Sequence, residues 1–242
     1  MTRGILLAGN ESALSAAAAA EAANRFELCA AAFIPNRFSN PAGEKPFPAP
    51  EPLIPLSWNP GSPVSARTLI LAAENRLQHI HEAVLLCAPP AIRKAPEDLT
   101  SSDIEIMAND HIKGWFFLVK ELSAVFRLQQ KGTLALALSE HDGIGGKENK
   151  EHKEHKEKTE KPEGKEDLPD ILGQAAAASF RAFAQSVLAV SHKEPFSIMG
   201  FSAPAGADNS AFASFIFKTL EEDPKKNSGK WHKFGRMGLF KR

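Results

Sequence analysis

The first place in this sequence where an anion could be held is the glycine-led turn at residues 9–12. It follows the apolar run 4–8 and opens an alanine-rich segment over 13–25. Amides at a helix N-terminus point outward with the positive end of the helix dipole behind them, and Asn10 and Ser12 add side-chain donors. Gly9 would serve equally well as a tight strand-to-helix turn with no ligand. His111 is a candidate for proton chemistry, because an imidazole titrates near neutrality. Ser139 ends the run 132–139, GTLALALS. A hydroxyl with no base beside it is a poor catalyst, and a serine there also suits the end of a strand or the start of a turn. His152 and His155 have a spacing that clips a metal on a helix, but two imidazoles with no cysteine near them make a weak site, and no metal is expected. Residues 225–242 carry seven lysines or arginines and no acid, interleaved with Trp231, Phe234, Met237 and Phe240. Such a tail could meet phosphates or an anionic surface. A terminal strand over 230–234 that packs its aromatics against a parallel sheet accounts for it better.

The elements that must position these groups follow a simple rhythm. Apolar runs at 4–8, 26–33, 82–88, 134–138 and 196–201 read as strands, with a brief strand over 53–58. Helical segments over 13–25, 65–79, 101–130, 171–190 and 210–222 alternate with them. Nine prolines between Pro35 and Pro63 exclude a regular helix there, since each lacks an amide donor and restricts its predecessor. Residues 147–167 mix seven lysines with eight acids and two histidines and offer nothing apolar to a core, so a solvated insert is expected. Strands alternating with helices predict an α/β fold, a Rossmann-type doubly wound parallel sheet with helices on both faces. The 242 residues are read as a single domain carrying a Pro-rich loop at 35–63, the charged insert at 147–167 and the basic tail at 225–242.

Composition narrows the partners. Basic and acidic residues balance at 29 each, so no global field recruits nucleic acid or an acidic membrane, and no apolar stretch is long enough to span a bilayer. Cys29 and Cys87 lie in apolar runs, which suits reduced, packed thiols rather than a disulfide. Asn10 and Glu11 interrupt the opening apolar run where the core of a signal peptide would continue, and a cytoplasmic location is expected.

The order of these elements and several local matches resemble the short-chain dehydrogenase/reductase family over nearly the whole chain. The family's GxxxGxG after the first strand is met by Gly9-Asn10-Glu11-Ser12-Ala13-Leu14-Ser15, in which only the first glycine remains. Ala13 and Ser15 add side-chain atoms where the family brings bare backbone to the cofactor pyrophosphate. The family's Asn-Asn-Ala-Gly after the fourth strand is met by Leu86-Cys87-Ala88-Pro89, and its Asn-x-x-Gly by His111-Ile112-Lys113-Gly114. The resemblance implies that Ser139 stands at the catalytic serine. Counting back from Pro204-Ala205-Gly206 puts Gln174 at the catalytic tyrosine and Ala178 at the lysine, with Arg181 the nearest cation. The chain contains no tyrosine at any register. The family's long lid after Pro204 is also cut to a few residues.

The resemblance implies NAD or NADP as cofactor, with Gly9, Asn10, Ser12, Ala13, Ser15 and Ala88 as the binding positions. Asn36-Arg37 after the second strand suits a phosphate only weakly. Glutamine has no titratable proton and alanine cannot hold a ribose or lower a neighbour's pKa. The sequence therefore points to a catalytically degenerate relative with weak or absent cofactor binding, acting through self-association or a protein partner. Two other readings stay open: an oxidoreductase in which Ser139 orients a carbonyl and His111 donates the proton, and an interaction protein working through the charged insert and basic tail.

Overall fold

The computed structural model describes residues 3–38, 53–140, 168 and 170–235. Among the described residues seven strands form one wholly parallel sheet: β1 (Gly4–Asn10), β2 (Leu28–Ile34), β3 (Leu53–Pro55), β4 (Glu82–Cys87), β5 (Thr133–Ser139), β6 (Ser197–Ala203) and β7 (Trp231–Lys233). Their order is β3-β2-β1-β4-β5-β6-β7, so the chain winds outward from β1 one way and then from β4 the other. The helices are α1 (Ala13–Arg25), α2 (Pro63–Leu77), α3 (Ser101–Ala108), α4 (Gly114–Gln129), α5 (Ile171–Ala189), α6 (Asn209–Glu221) and the short α7 (Pro224–Asn227).

Side chains alternate along each strand, which is why one sheet has two cores. Leu6, Ala8, Leu85 and Leu136 face α2, α4 and α5, whose Leu69, Trp115 and Phe180 meet them. Ile5, Leu7, Val84 and Ala135 face α1 and α6, whose Ala18, Ala19, Phe212 and Phe217 meet those. A strand covered on both sides must be apolar on both sides, and that is why these runs are continuous rather than alternating. Ser62, Thr100, Asp170 and Asp208 cap the helices that follow them.

The α/β reading and its doubly wound sheet hold. Several boundaries move. The first strand continues through Gly9 and Asn10, which sequence reading gave to the turn. The second runs Leu28–Ile34, and the brief third strand is only three residues long. The region expected as one helix over 101–130 is α3 and α4 joined by a π-helical turn, Asn109–Lys113. The expected terminal strand is present as β7, while α7 and the 3-10 turn Pro96–Asp98 were not anticipated. Within the Pro-rich stretch 35–63 the expected brief strand is present as β3, and Pro63 already begins α2. Residues 147–167, with His152 and His155, lie outside the described residues, as do Met237 and Phe240. No described helix is long and apolar enough to cross a membrane.

Both cysteines are free and buried. Burial alone lifts the Cys29 thiol to about 11 and pushes Cys87 higher still, because a thiolate is poorly solvated among apolar neighbours. In the native protein at neutral pH neither thiol is expected to react with an aromatic disulfide reagent, and both should react once urea unfolds the chain. Fast labelling of the folded protein would show a thiol far more open than this packing allows.

Candidate active site at the carboxyl ends of the strands

In a doubly wound sheet the crevice where the strand order reverses lies between β1 and β4, past their carboxyl ends. Here Asn10 closes it. The Asn10 Nδ2 donates to the Ala88 carbonyl at 2.5 Å and its Oδ1 accepts from the Ala88 amide at 3.2 Å, so one carboxamide replaces a further rung of strand pairing. Asn10 is 3% exposed, so this carboxamide is buried between the two strands. Gly9 lies inside β1, and a Cβ on it would stand 2.6 Å from the Leu86 carbonyl oxygen. Its missing side chain is explained by the close approach of β1 to β4.

The hydroxyls at the start of α1 are likewise engaged. Ser12 caps the helix by accepting from the Ser15 amide at 3.1 Å. Ser15 is buried, and its hydroxyl donates to the Asn10 carbonyl at 2.6 Å. A hydroxyl has one proton, so the 3.1 Å contact between the Ser12 and Ser15 oxygens must be donated by Ser12. The side-chain donors that sequence reading offered to an anion, Asn10 and Ser12, are thus turned inward. Ala13 is exposed, and the half-buried Glu11 adds a carboxylate to the same turn. Ala88 is half-buried, with both its backbone groups on Asn10.

Ser139 is the last residue of β5, half-buried, and pairs in register with Ala203 of β6. Beside it Glu140 helps to line a cavity of about 360 Å³ against the outer face of α5. Gln174, Ala177, Ala178, Arg181, Ala182 and Gln185 complete its wall. Gln174 and Ala178 both lie on this wall, four residues apart on one helical face. Arg181, the nearest cation, is bound to Glu140 at 2.5 Å.

His111 is placed differently. It lies in the π-helical turn, 4% exposed, with its ring 6.5 Å from that of Phe38. Neither His111 nor Ser139 lines the cavity. Gly114, which gave the His-x-x-Gly spacing, packs against the Trp58–Pro60 stretch, where a Cβ would stand 2.7 Å from Pro60. Arg37 reaches the buried Asp110 at 3.3 Å instead of projecting freely toward a phosphate. Burial pushes the Asp110 carboxyl up, and the Arg37 guanidinium opposes that in part.

Two anchors escaped sequence reading. Asp170 is buried and accepts from the Gly173 amide at 2.9 Å and the Ile92 amide at 3.0 Å, tying the start of α5 to the loop after β4. An aspartate just before an apolar helical run was a legible signal for the first bond and gave none for the second. Around it Ile92, Met107 and Ala176, with Phe38, Leu99, Ile112 and Leu172, form a third apolar cluster. Its members come from five separate stretches of chain, so no local pattern could announce it.

No protein-family model matches this sequence, and no curated protein matches it. Its fold does have solved counterparts. It is similar to the acetoin dehydrogenase of Salmonella typhimurium, with 13% identity over 96% of this chain and 95% of that one at a TM-score of 0.68. A short chain dehydrogenase from Mycobacterium smegmatis gives 11% identity over 96% of this chain and 91% of that one, at 0.65. A short-chain dehydrogenase/reductase variant from Serratia marcescens gives 9% identity over 96% and 95%, also at 0.65. The likeness extends over nearly the full length in each case, and at such identities it establishes a shared fold.

Proposed function

We propose that this chain is a degenerate relative of the short-chain dehydrogenases and reductases that has given up their proton transfer. On this reading it holds NAD or NADP weakly or not at all, and acts through association with itself or with a protein partner. The observation that carries the reading is the face that α5 turns to its cavity. That face offers the carboxamide of Gln174 and the methyl of Ala178, which the family resemblance aligns with the tyrosine and the lysine, Arg181 is paired with Glu140, and the chain has no tyrosine to supply the acid from elsewhere. A carboxamide cannot deliver a proton, and a cation already paired cannot lower a neighbour's pKa by much.

The β1–β4 crevice supports the weak-cofactor half of the proposal. A pyrophosphate would meet Ala13 and Ser15 in place of glycines, a carboxylate at Glu11, and side-chain donors already spent on the fold. Two buried, free thiols suit a reducing, cytoplasmic setting.

Fluorescence titration with NADH and NADPH tests this directly. Dissociation constants above roughly 100 μM are expected, each lost backbone contact costing about 1 kcal/mol. No reduction of simple ketones or quinones is expected from the native chain or from the Gln174→Tyr, Ala178→Lys double variant. A low-micromolar constant would overturn the cofactor claim.

One observation favours a second reading. π-helical turns recur at functional sites, and one carries His111. If the native protein reduces a carbonyl, and His111→Ala abolishes this while cofactor binding survives, a rebuilt site using His111 and Ser139 replaces the degenerate one.

A further inference from the structure

The first strand is pinned at its start by an imidazole. The His81 amide donates to the Gly4 carbonyl at 2.9 Å, and the Gly4 amide donates to His81 Nδ1 at 3.1 Å, so one residue holds both backbone groups of Gly4. The His81 carbonyl accepts in turn from the Thr133 amide, at 3.0 Å, where β5 begins. With its backbone fixed to β1 on one side and β5 on the other, the imidazole cannot leave Gly4 by a shift of the main chain. The fit is close as well: a Cβ on Gly4 would stand 2.7 Å from the His79 carbonyl oxygen.

A nitrogen that accepts carries no proton, so the bound ring is the neutral tautomer protonated on Nε2. The imidazolium has a proton on both nitrogens. Its Nδ1–H would point at the Gly4 N–H, donor against donor, and a hydrogen bond would become a repulsive contact.

The charged groups around the ring do nothing to hold a second proton. His79 stands perpendicular to it, 6.2 Å from ring centre to ring centre, Lys131 approaches from the α4–β5 connection, and Arg3 lies just before β1. The adjacent carboxylate, Glu82, is paired with Arg3. Burial first, and then Lys131, hold the His81 imidazole below its ordinary range, while a hydrogen bond with the His79 backbone opposes them in part.

We propose that His81 is a pH-sensitive latch on the first strand: neutral, it fixes the start of β1 to the start of β4, and protonation releases it. The unfolded chain takes up this proton at about pH 6.5 and the latched ring only at lower pH. The contribution of the latch is therefore complete above the unfolded value and is lost as pH falls through the folded one. Glu82 has the opposite sign, because burial pushes its carboxyl up and its protonation favours the folded chain. The latch lies at the other end of β1 from the Asn10 bridge and stands whatever the β1–β4 crevice binds.

Amide exchange and urea unfolding of the full chain test the latch. Gly4 protection, corrected for the intrinsic exchange rate, should fall about five- to tenfold between about pH 7.5 and pH 5.5, since the released ring titrates near 6.5 and the latched one lower. His81→Asn puts a carboxamide oxygen close to the place of Nδ1 with nothing to titrate, so Gly4 protection should then be the same at both pH values. The urea midpoint of the native chain should also fall further on acidification than that of His81→Asn, because Glu82 and the other histidines titrate in both and cancel. Gly4 protection independent of pH in the native chain, or midpoints that fall in parallel, would overturn the proposal. If His81→Asn does not fold, a nitrogen-15 titration of the native imidazole joins the native exchange data in deciding: an Nε2–H tautomer titrating below about 6.5 is expected, and an Nδ1–H tautomer or a raised midpoint overturns the latch.

Discussion

Gly132→Ala is expected to lower the melting temperature by about 10 °C, corresponding to about 3–5 kcal/mol of stability in a chain of this size. Gly132 sits just before β5 at φ +144, a conformation that side chains rarely adopt. A Cβ there would also stand 2.3 Å from the Phe126 ring. That ring cannot move aside cheaply, because it is fully buried and packs 5.3 Å from Phe196. Strain and overpacking therefore add. Calorimetry should show the fall with β5 otherwise native, and a change under about 2 °C would mean that the Phe126 pocket has slack this packing does not show.

Asn10→Ala should cost about 2–4 kcal/mol, read as a lower urea midpoint, because it removes two hydrogen bonds and leaves both backbone groups of Ala88 without their partner. Asn10→Asp sharpens the test with pH. One carboxylate oxygen can still accept from the Ala88 amide, but the other then faces the Ala88 carbonyl, to which only a proton donor can bond. Burial and that carbonyl raise the folded-state pKa of the new carboxyl above its unfolded value of about 3.9. The protonated acid mimics the amide, so relative to the native chain the variant is nearly unimpaired below the unfolded pKa. It loses stability as pH rises through the folded pKa. Urea midpoints of both proteins at about pH 4 and pH 8 would reveal this, and a penalty independent of pH would disprove the bridge.

Much of the fold was legible because the signals are local. Residues 13–25 read as a helix and are one, since alanine loses little side-chain entropy there and Ser12 supplies the cap. The buried strands announced themselves as unbroken apolar runs, which a sheet covered on both faces demands. Gln174 and Ala178 could be placed on one face of α5 by helical spacing alone.

The candidate site was less legible, because its character depends on who meets whom across as many as 78 residues. Nothing near Asn10 in sequence says that its carboxamide will be taken by Ala88, or that Asp170 will hold Ile92. Gly9 looked like a turn because glycine's freedom is usually spent on φ, whereas here it admits the Leu86 carbonyl. The π-helical turn split a pattern that periodicity read as one helix. The sequence by itself determined the order of strands and helices, the absence of a tyrosine acid and the concentration of cations after residue 224, since these follow from composition and short-range periodicity. Only the tertiary structure decided which donors remained free at the β1–β4 crevice. A hydrogen bond or ion pair goes to the partner that packing delivers, and packing is settled by the whole sheet at once.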